Sequence, residues 1–155
     1  MRRFTFFPSS ENWRVNPYLD LLQSALEARG CIFVEPESDY LAWRWLLKQR
    51  GHLDVIHLHW IQYQYAHSGR FWRDMSRLVG KVMLARLLGY RVVWTLHNIM
   101  PHESANPRVD WMARFLLAHL THAVIVHCEE ARRQLAARFK RTGSVFVVPH
   151  GNYIR

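Results

Sequence analysis

The sequence is poor in cysteine, and the two cysteines it has are far apart. Among 155 residues only Cys31 and Cys128 carry thiols, and their separation fits neither a redox pair nor a pair of metal ligands. A disulfide-rich scaffold is therefore excluded, and a reducing compartment is favoured. Glycine and proline are also few, and half of the residues are apolar, which excludes disorder and collagen-like repeats.

Long hydrophobic runs are missing as well. The longest one, residues 115–128, is interrupted by His119, Thr121 and His122, so it falls short of the roughly 20 apolar residues that a membrane-spanning helix needs. The first apolar segment stops at Pro8, and no cleavage site follows it. We therefore expect this segment to be a strand of the mature fold rather than a signal peptide, and the protein to be cytoplasmic.

The sequence also lacks the glycine-rich motifs of common nucleotide-binding folds. Neither G-x-G-x-x-G nor G-x-x-x-x-G-K occurs, which argues against a dinucleotide-dependent dehydrogenase and against a P-loop enzyme. We accordingly predict no cofactor for this chain.

What the sequence does contain is an alternation of short apolar runs and amphipathic segments. The apolar runs predict six strands, at 3–7, 31–34, 54–60, 91–97, 123–128 and 145–149. The segments between them predict five helices, at 16–30, 39–50, 68–89, 106–119 and 129–140. This alternation predicts an α/β fold with a doubly wound, mainly parallel sheet and helices on both faces.

Histidines stand at the ends of four predicted strands. His57 and His59 lie at the end of the third strand, His97 ends the fourth, His127 lies near the end of the fifth, and His150 follows the sixth. The carboxyl ends of parallel strands meet at one edge of a sheet, where α/β proteins bind their ligands. We therefore expect His57, His59, His97 and His150 to cluster at this edge.

Three roles are open for these histidines. The first is a packed, hydrogen-bonded strand terminus, which we favour for His127. The second is a metal site, which is disfavoured because neither His-Glu-x-x-His nor paired cysteines occur. The third is a sugar or phosphate site, in which imidazole donates hydrogen bonds to hydroxyl or phosphate oxygens. Polar residues beside the strand ends favour the third role: Asn98, His102, Glu103 and Gly151.

Four segments at these strand ends resemble a known family in their order and spacing. They are Asp54-Val-Ile-His-Leu-His59, Val93-Trp-Thr-Leu-His-Asn98 with Pro101-His-Glu103, Ala123-Val-Ile-Val-His-Cys128, and Val147-Val-Pro-His-Gly-Asn152. Together they resemble the amino-terminal domain of GT-B glycosyltransferases, in the large retaining family 4 that uses nucleotide sugars. The resemblance covers essentially the whole chain.

The resemblance implies a transferase of the hexosyltransferase type with two domains that face each other across a cleft. Residues 1–155 are then a single Rossmann-like, acceptor-binding domain, and the donor-binding carboxyl-terminal domain is absent. A missing or separate domain would bind the nucleotide-sugar donor, while this chain would bind a glycan or lipid-linked acceptor. We therefore expect the chain to be inactive alone.

The same resemblance implies roles for individual residues. His97 takes the position of a histidine that reaches the donor sugar. The loop after the first strand borders the diphosphate, which assigns Ser9, Ser10 and Arg14 as side-chain donors. His150 and Gly151 lie in the segment that leads into the interdomain linker.

A predicted helix carries a stripe of basic side chains. Arg70, Arg73, Arg77 and Lys81 recur at helical spacing, so all four fall on one face. The opposite face is expected to be apolar and to pack on the sheet: Trp72, Met75, Val79, Val82 and Met83. The stripe predicts either an ordinary solvated face or weak binding to anionic membrane lipids at the inner face of the membrane.

The preceding helix carries two tryptophans that cannot both be buried. Trp43 and Trp45 differ by about 200° around a helix, so we expect one of them to be exposed. An exposed tryptophan beside Arg44 suits a membrane interface or an acceptor platform.

The alternative function is a basic module that binds nucleic acid or an anionic surface without catalysis. The formal net charge of +9 favours it. The sequence contains no nucleic-acid-binding motif, and its cations fall on helix faces rather than in one dense track. We therefore expect no nucleic-acid partner.

Overall fold

The computed structural model describes residues 1–9, 17–66, 69–101 and 104–150. The strands are β1 (Arg3–Phe7), β2 (Ile32–Phe33), β3 (Val55–Leu58), β4 (Arg91–Leu96), β5 (Ala123–Val126) and β6 (Val145–Val147). The α-helices are α1 (Tyr18–Glu27), α2 (Trp43–Lys48), α3 (Phe71–Leu87), α4 (Pro107–Leu120) and α5 (Glu129–Phe139). One turn of 3-10 helix, Ile61–Gln64, follows β3.

The six strands form one sheet in the order β2-β1-β3-β4-β5-β6, and every neighbouring pair is parallel. The predicted α/β architecture is therefore confirmed. Register brings the strand ends together: His57 pairs with Val93 across β3 and β4, and Leu96 pairs with Val126 across β4 and β5. The last residues of β3, β4 and β5 consequently meet at one edge.

The central strands are buried because helices cover both of their faces. Ile56, Val92 and Val124 are completely buried, as expected for parallel strands that read as continuous apolar runs. The Asn106 side chain caps α4 by accepting a hydrogen bond from the Val109 amide, and a proline occupies the first turn. Gly89 follows α3 with a φ of +94°, a conformation that favours glycine at a helix end.

Three predicted helices are shorter in the structure, and the one predicted at 16–30 is reduced to α1. The helix predicted at 39–50 is reduced to α2, since Asp39 accepts hydrogen bonds from the Ser9 amide and hydroxyl and lies in a non-helical segment. The helix predicted at 68–89 begins at Phe71. Apolar periodicity alone overestimates the length of a helix where side-chain contacts of the neighbouring loop end the helix earlier.

The prediction for the apolar face of α3 was partly wrong. Met75 and Val82 are buried as expected, but Trp72 and Met83 are about half exposed. The buried residues are Met75, Leu78, Val82 and Ala85. The buried stripe is thus rotated from the predicted one and leaves three large apolar side chains of α3 on the surface, Trp72, Met83 and Leu87. None of the helices in the described ranges is both long and apolar enough to traverse a bilayer.

A buried polar network fixes the amino-terminal half of α4. Asp110 accepts hydrogen bonds from the hydroxyls of Tyr65 and Ser104. Arg114 donates to the Tyr65 hydroxyl at 3.1 Å and lies 3.7 Å from the Asp110 carboxylate. Both charged residues are about 95% buried, and each buried charge is stabilised by its partner. The network therefore holds the helix against the segment after β3.

Candidate functional site

Histidines from four elements meet at the carboxyl edge of the sheet. The ring centroids of His57 and His59 are 4.1 Å apart, those of His59 and His97 5.5 Å, and those of His97 and His127 5.0 Å. His150 lies 4.7 Å from His127 and 6.5 Å from His97. The predicted clustering is confirmed, and these five rings are called the histidine cluster below.

His127 is a hydrogen-bonded strand terminus, as predicted, because its Nδ1 lies 2.9 Å from the carbonyl oxygen of Val148. Its other ring nitrogen, Nε2, lies 3.3 Å from His97 Nδ1. His127 therefore belongs to the cluster and links His97 to the chain segment after β6.

Two aromatic side chains enclose the cluster. The Trp60 ring stacks on His97, with centroids 4.3 Å apart and an interplanar angle of 10°. Tyr18, in the first turn of α1, contacts His59, His97, His127 and His150 at centroid distances of 5.0 to 5.7 Å. Neither contact could be predicted from the sequence, because Trp60 is distant in the chain from His97 and Tyr18 is distant from all four of these histidines.

Trp60 holds an unusual backbone conformation. Its φ is 34° and its ψ 54°, in the left-handed region that bulky residues rarely adopt. Such a conformation costs on the order of 1–3 kcal/mol and is concentrated at functional sites. Here it turns the chain sharply after β3 and lays the indole on His97.

The hydrogen bonds of the cluster fix the position of the ring proton on three of its members, His127, His97 and His59. A carbonyl oxygen only accepts, so the proton of neutral His127 must be on Nδ1, toward Val148. His127 Nε2 then accepts from His97 Nδ1. His97 Nε2 in turn accepts from His59 Nδ1, 3.2 Å away. The chain ends at His59 Nε2, a buried atom without a hydrogen-bond partner among the described residues.

Burial keeps His57, His59 and His97 neutral at physiological pH. It lowers the pKa of His57 to about 3, and burial together with the neighbouring histidines lowers the pKa of His97 to about 3. The pKa of His59 is also well below its ordinary value, first because of burial and then because of the other imidazoles. Neutral imidazoles each offer one donor and one acceptor, so these three rings carry hydrogen-bonding capacity without net charge.

The other predicted site residues fall into three groups. His57 is buried, with Nε2 2.8 Å from the Thr95 hydroxyl, and Ser9 is buried with both of its donors directed to Asp39. Asn98 is exposed next to His97 and lines a small cavity with it. The remaining ones lie outside the described residues: Ser10, Arg14, His102, Glu103 and Gly151.

His97 and the buried cation Arg114 both line that small cavity. Trp60, Thr95, Asn98 and Pro101 line it, and Arg114 forms part of its wall. The Arg114 guanidinium is part of the buried network with Asp110, and its Nε has no partner among the described atoms. The cavity therefore brings a fixed positive charge close to the neutral cluster.

A second surface feature lies between α2 and α3. Trp43 is 52% exposed whereas Trp45 is 3% exposed, which confirms that one of the two tryptophans faces solvent. Trp43, Arg77, Gly80, Lys81 and Leu84 line an open groove, here called the basic groove. The Arg44 guanidinium lies 5.2 Å from the centroid of the Trp43 ring.

The basic stripe of α3 carries less net charge than its sequence indicates. Asp74 pairs with Arg73 at 3.1 Å and with Arg77 at 3.5 Å. Burial, followed by the Arg77 charge, lowers the pKa of Lys81. Arg70 is the residue before α3 and is exposed. The stripe therefore combines four cations with one carboxylate.

Sequence comparison relates the chain to a sugar-transferring enzyme. Two curated proteins of Xanthomonas campestris pv. campestris, each named a GDP-mannose:glycolipid 4-beta-D-mannosyltransferase, are 34% identical to it over 119 residues. The match covers 74% of this chain and 31% of each relative, so the chain spans less than a third of their length. No family model matches the chain. The chain is thus a distant relative of a glycosyltransferase.

Proposed function

We propose that the chain is the acceptor-side domain of a two-domain GT-B glycosyltransferase. One observation carries the proposal. The histidine cluster stands at the ligand-binding edge of a parallel sheet, in a chain similar to glycolipid mannosyltransferases. A separate donor-binding domain then closes over this edge and supplies the nucleotide sugar.

His97 is proposed as the residue that contacts the reacting sugar. Its two ring hydrogen bonds measure 3.2 and 3.3 Å, at or beyond the long end of the usual range. Such bonds are readily exchanged for a sugar hydroxyl, and the stacked Trp60 ring keeps the imidazole in place during the exchange. His59 and His127 act as positioning residues, because they determine which nitrogen of His97 carries the proton.

The relatives suggest the classes of donor and acceptor. Their name specifies GDP-mannose and a glycolipid, and we propose a nucleotide sugar of this type and a lipid-linked glycan for this chain. Exposed Asn98 provides a polar group at the cluster, and Tyr18 and Trp60 provide apolar ring surfaces. A neutral, aromatic-walled site suits uncharged sugar rings.

A lipid-linked acceptor has to be met at a bilayer surface, and the basic groove suits that contact. An exposed tryptophan next to arginine and lysine is typical of membrane interfaces. We propose peripheral binding to anionic lipid through Trp43, Arg44, Arg77 and Lys81, with Arg70 and Arg73 adding to the local charge.

The proposal is tested with the purified chain, GDP-mannose and a detergent-solubilised lipid-linked glycan. Acceptor binding is followed by saturation-transfer NMR, and mannose transfer by mass spectrometry of the glycan. We expect acceptor binding that weakens at least tenfold in His97→Ala, and no transfer by the chain alone, since the proposal assigns donor binding to a separate domain. His52→Ala, at an exposed position outside the cluster, is the matched control.

Transfer by the isolated chain would contradict the assignment as an acceptor-side domain. Absence of acceptor binding, with salt-dependent binding of duplex DNA in the same preparation, would favour the nucleic-acid module instead.

The stereochemistry of the reaction has its own test. The resemblance to family 4 implies retention of anomeric configuration. The β-linked product in the relatives' name corresponds to inversion, because GDP-mannose carries its sugar in the α configuration. Comparing the anomeric proton couplings of donor and product by NMR, in the enzyme with both domains, distinguishes retention from inversion.

A further inference from the structure

We propose that His97, His127 and His150 form a binding site for a transition-metal ion of the zinc class. Each residue offers one ring nitrogen, and the three atoms all lie within 4.8 Å of one another. The site shares His97 with the proposed sugar contact, but its occupancy can be measured without donor, acceptor or turnover.

Two of the three nitrogens already have the spacing that a tetrahedral ion requires. Nitrogen ligands bind zinc at about 2.0–2.1 Å, so two of them on one tetrahedral ion lie about 3.3 Å apart. His97 Nδ1 and His127 Nε2 are 3.3 Å apart. His150 has to approach by at most about 1.5 Å to complete the same spacing. It is exposed, lies beyond the end of β6 and contacts the Tyr18 ring, so this approach is made by a side chain at the surface of the cluster.

Outer partners already orient the first two ligands. Metal-bound histidines almost always donate the second ring N–H to a carbonyl, a carboxylate or a water. His127 does so through Nδ1 to the Val148 carbonyl, which leaves the Nε2 lone pair directed at His97. His97 has His59 behind its Nε2. Without such partners, metal binding would carry an additional free-energy cost, because the ligand rings would have to be ordered when the ion binds.

Metal binding requires one internal rearrangement of protons. In the metal-free cluster His97 carries its proton on Nδ1, between itself and His127. When the metal takes that position, the proton of His97 moves to Nε2 and is donated to His59 Nδ1, and the proton of His59 moves to its Nε2. The number of bound protons is unchanged. The same single atom, His59 Nε2, lacks a partner before and after, so the rearrangement creates no additional unsatisfied atom.

The donor set selects the class of ion. Three imidazoles and no carboxylate suit Zn²⁺, Co²⁺, Ni²⁺ or Cu²⁺ and disfavour Mg²⁺ and Ca²⁺, which prefer oxygen. With three protein ligands a fourth position stays open to water, as in zinc sites that exchange ligands. The sequence disfavours a metal site because neither His-Glu-x-x-His nor paired cysteines occur. The three ligands found here lie instead on three separate chain segments.

Cobalt provides the test, because tetrahedral Co²⁺ absorbs visible light far more strongly than hydrated Co²⁺. The chain is prepared without a histidine tag, treated with a chelator, desalted and titrated with CoCl₂. We expect one equivalent of Co²⁺ to produce tetrahedral bands that Zn²⁺ abolishes and MgCl₂ does not. The His150→Ala variant should bind Co²⁺ at least tenfold more weakly while its circular dichroism is unchanged, since His150 is exposed.

Two further variants make the result specific. His127→Ala should also weaken Co²⁺ binding at least tenfold, and His52→Ala, at an exposed position outside the cluster, should bind like the unaltered chain. Absence of tetrahedral bands, or equal Co²⁺ binding by the folded His150→Ala and His52→Ala variants, would overturn the proposal.

Discussion

The Trp60 indole lies flat on the His97 imidazole, at a centroid distance of 4.3 Å and an angle of 10°. One face of His97 is covered by this ring, Tyr18 contacts it edge-on, and both ring nitrogens face other histidines. His97 is therefore held in one orientation by apolar contacts and by weak, exchangeable hydrogen bonds. A group held in this way can change hydrogen-bond partner without changing position.

The role of His97 can be measured in the enzyme that contains both domains. His97→Ala removes two hydrogen bonds and a stacked ring, so we expect kcat/KM to fall ten- to a thousandfold, equivalent to about 1.4–4 kcal/mol of lost transition-state stabilisation. The rate must be normalised to folded protein measured by circular dichroism. If the normalised kcat/KM stays within threefold of the unaltered enzyme, His97 is only a structural residue.

The stability of the fold should depend on pH through His57. This residue is 6% exposed, and burial lowers its pKa to about 3, below the value of 6.5 for the unfolded chain. The unfolded state therefore binds one more proton between pH 6.5 and 3. The stabilisation is complete above pH 6.5 and declines as pH falls, by about 1.4 kcal/mol per pH unit.

The substitution His57→Gln tests this directly. Glutamine can still bond to the Thr95 hydroxyl but does not titrate, so urea unfolding should lose stability with falling pH less steeply, by about 1.4 kcal/mol per unit. His52→Gln, at an exposed position, should leave the slope unchanged. Equal slopes for the His57→Gln variant and the unaltered chain would refute the assignment.

The buried network on α4 should be strongly destabilised when one charge is removed. Asp110→Ala leaves the Arg114 guanidinium buried without its carboxylate, which typically costs about 3–5 kcal/mol. The double variant Asp110→Leu, Arg114→Met removes both charges and should recover most of that loss. Asp20→Ala, on the exposed side of α1, is the control. A loss below 1 kcal/mol for Asp110→Ala, measured by urea unfolding, would show that the network contributes little.

Binding to anionic vesicles should depend on the basic groove. Each basic residue near an anionic surface contributes about 1 kcal/mol, so Arg77→Gln with Lys81→Gln should weaken co-sedimentation about thirtyfold. The effect should shrink as salt is raised. Arg132→Gln with Arg133→Gln removes the same charge from α5, which does not line the groove, and should weaken binding much less. Equal losses for the two pairs, or equal binding to neutral vesicles, would contradict the prediction.

The strands and their common edge could be predicted because a buried parallel strand is a continuous apolar run that is visible in the sequence. Residues 91–97 and 123–128 are apolar runs that end in or near histidine, and parallel connection places such ends side by side. The resulting proximity of His97 to His150 follows from topology alone.

Contacts between segments that are far apart in the sequence could not be predicted, because no local pattern indicates them. Tyr18 reaches four histidines from α1, and Arg114 meets Tyr65 across 49 positions of sequence. The length of α2 was overestimated because the bond from Ser9 to Asp39 joins segments 30 residues apart. Periodicity describes which face of an element is apolar, and it contains no information on which distant polar group will meet it.

The bond between His127 and the Val148 carbonyl has a consequence for the order of assembly. Val148 directly follows β6, which is both the last strand of the described chain and an edge of the sheet. During synthesis this segment leaves the ribosome after the other five strands of the sheet. Until it pairs with β5, no acceptor fixes the His127 proton, and the rings of His97 and His59 are free to exchange tautomers. The ring protons of His127, His97 and His59 therefore take fixed positions only after β6 has paired with β5 and brought the Val148 carbonyl to His127.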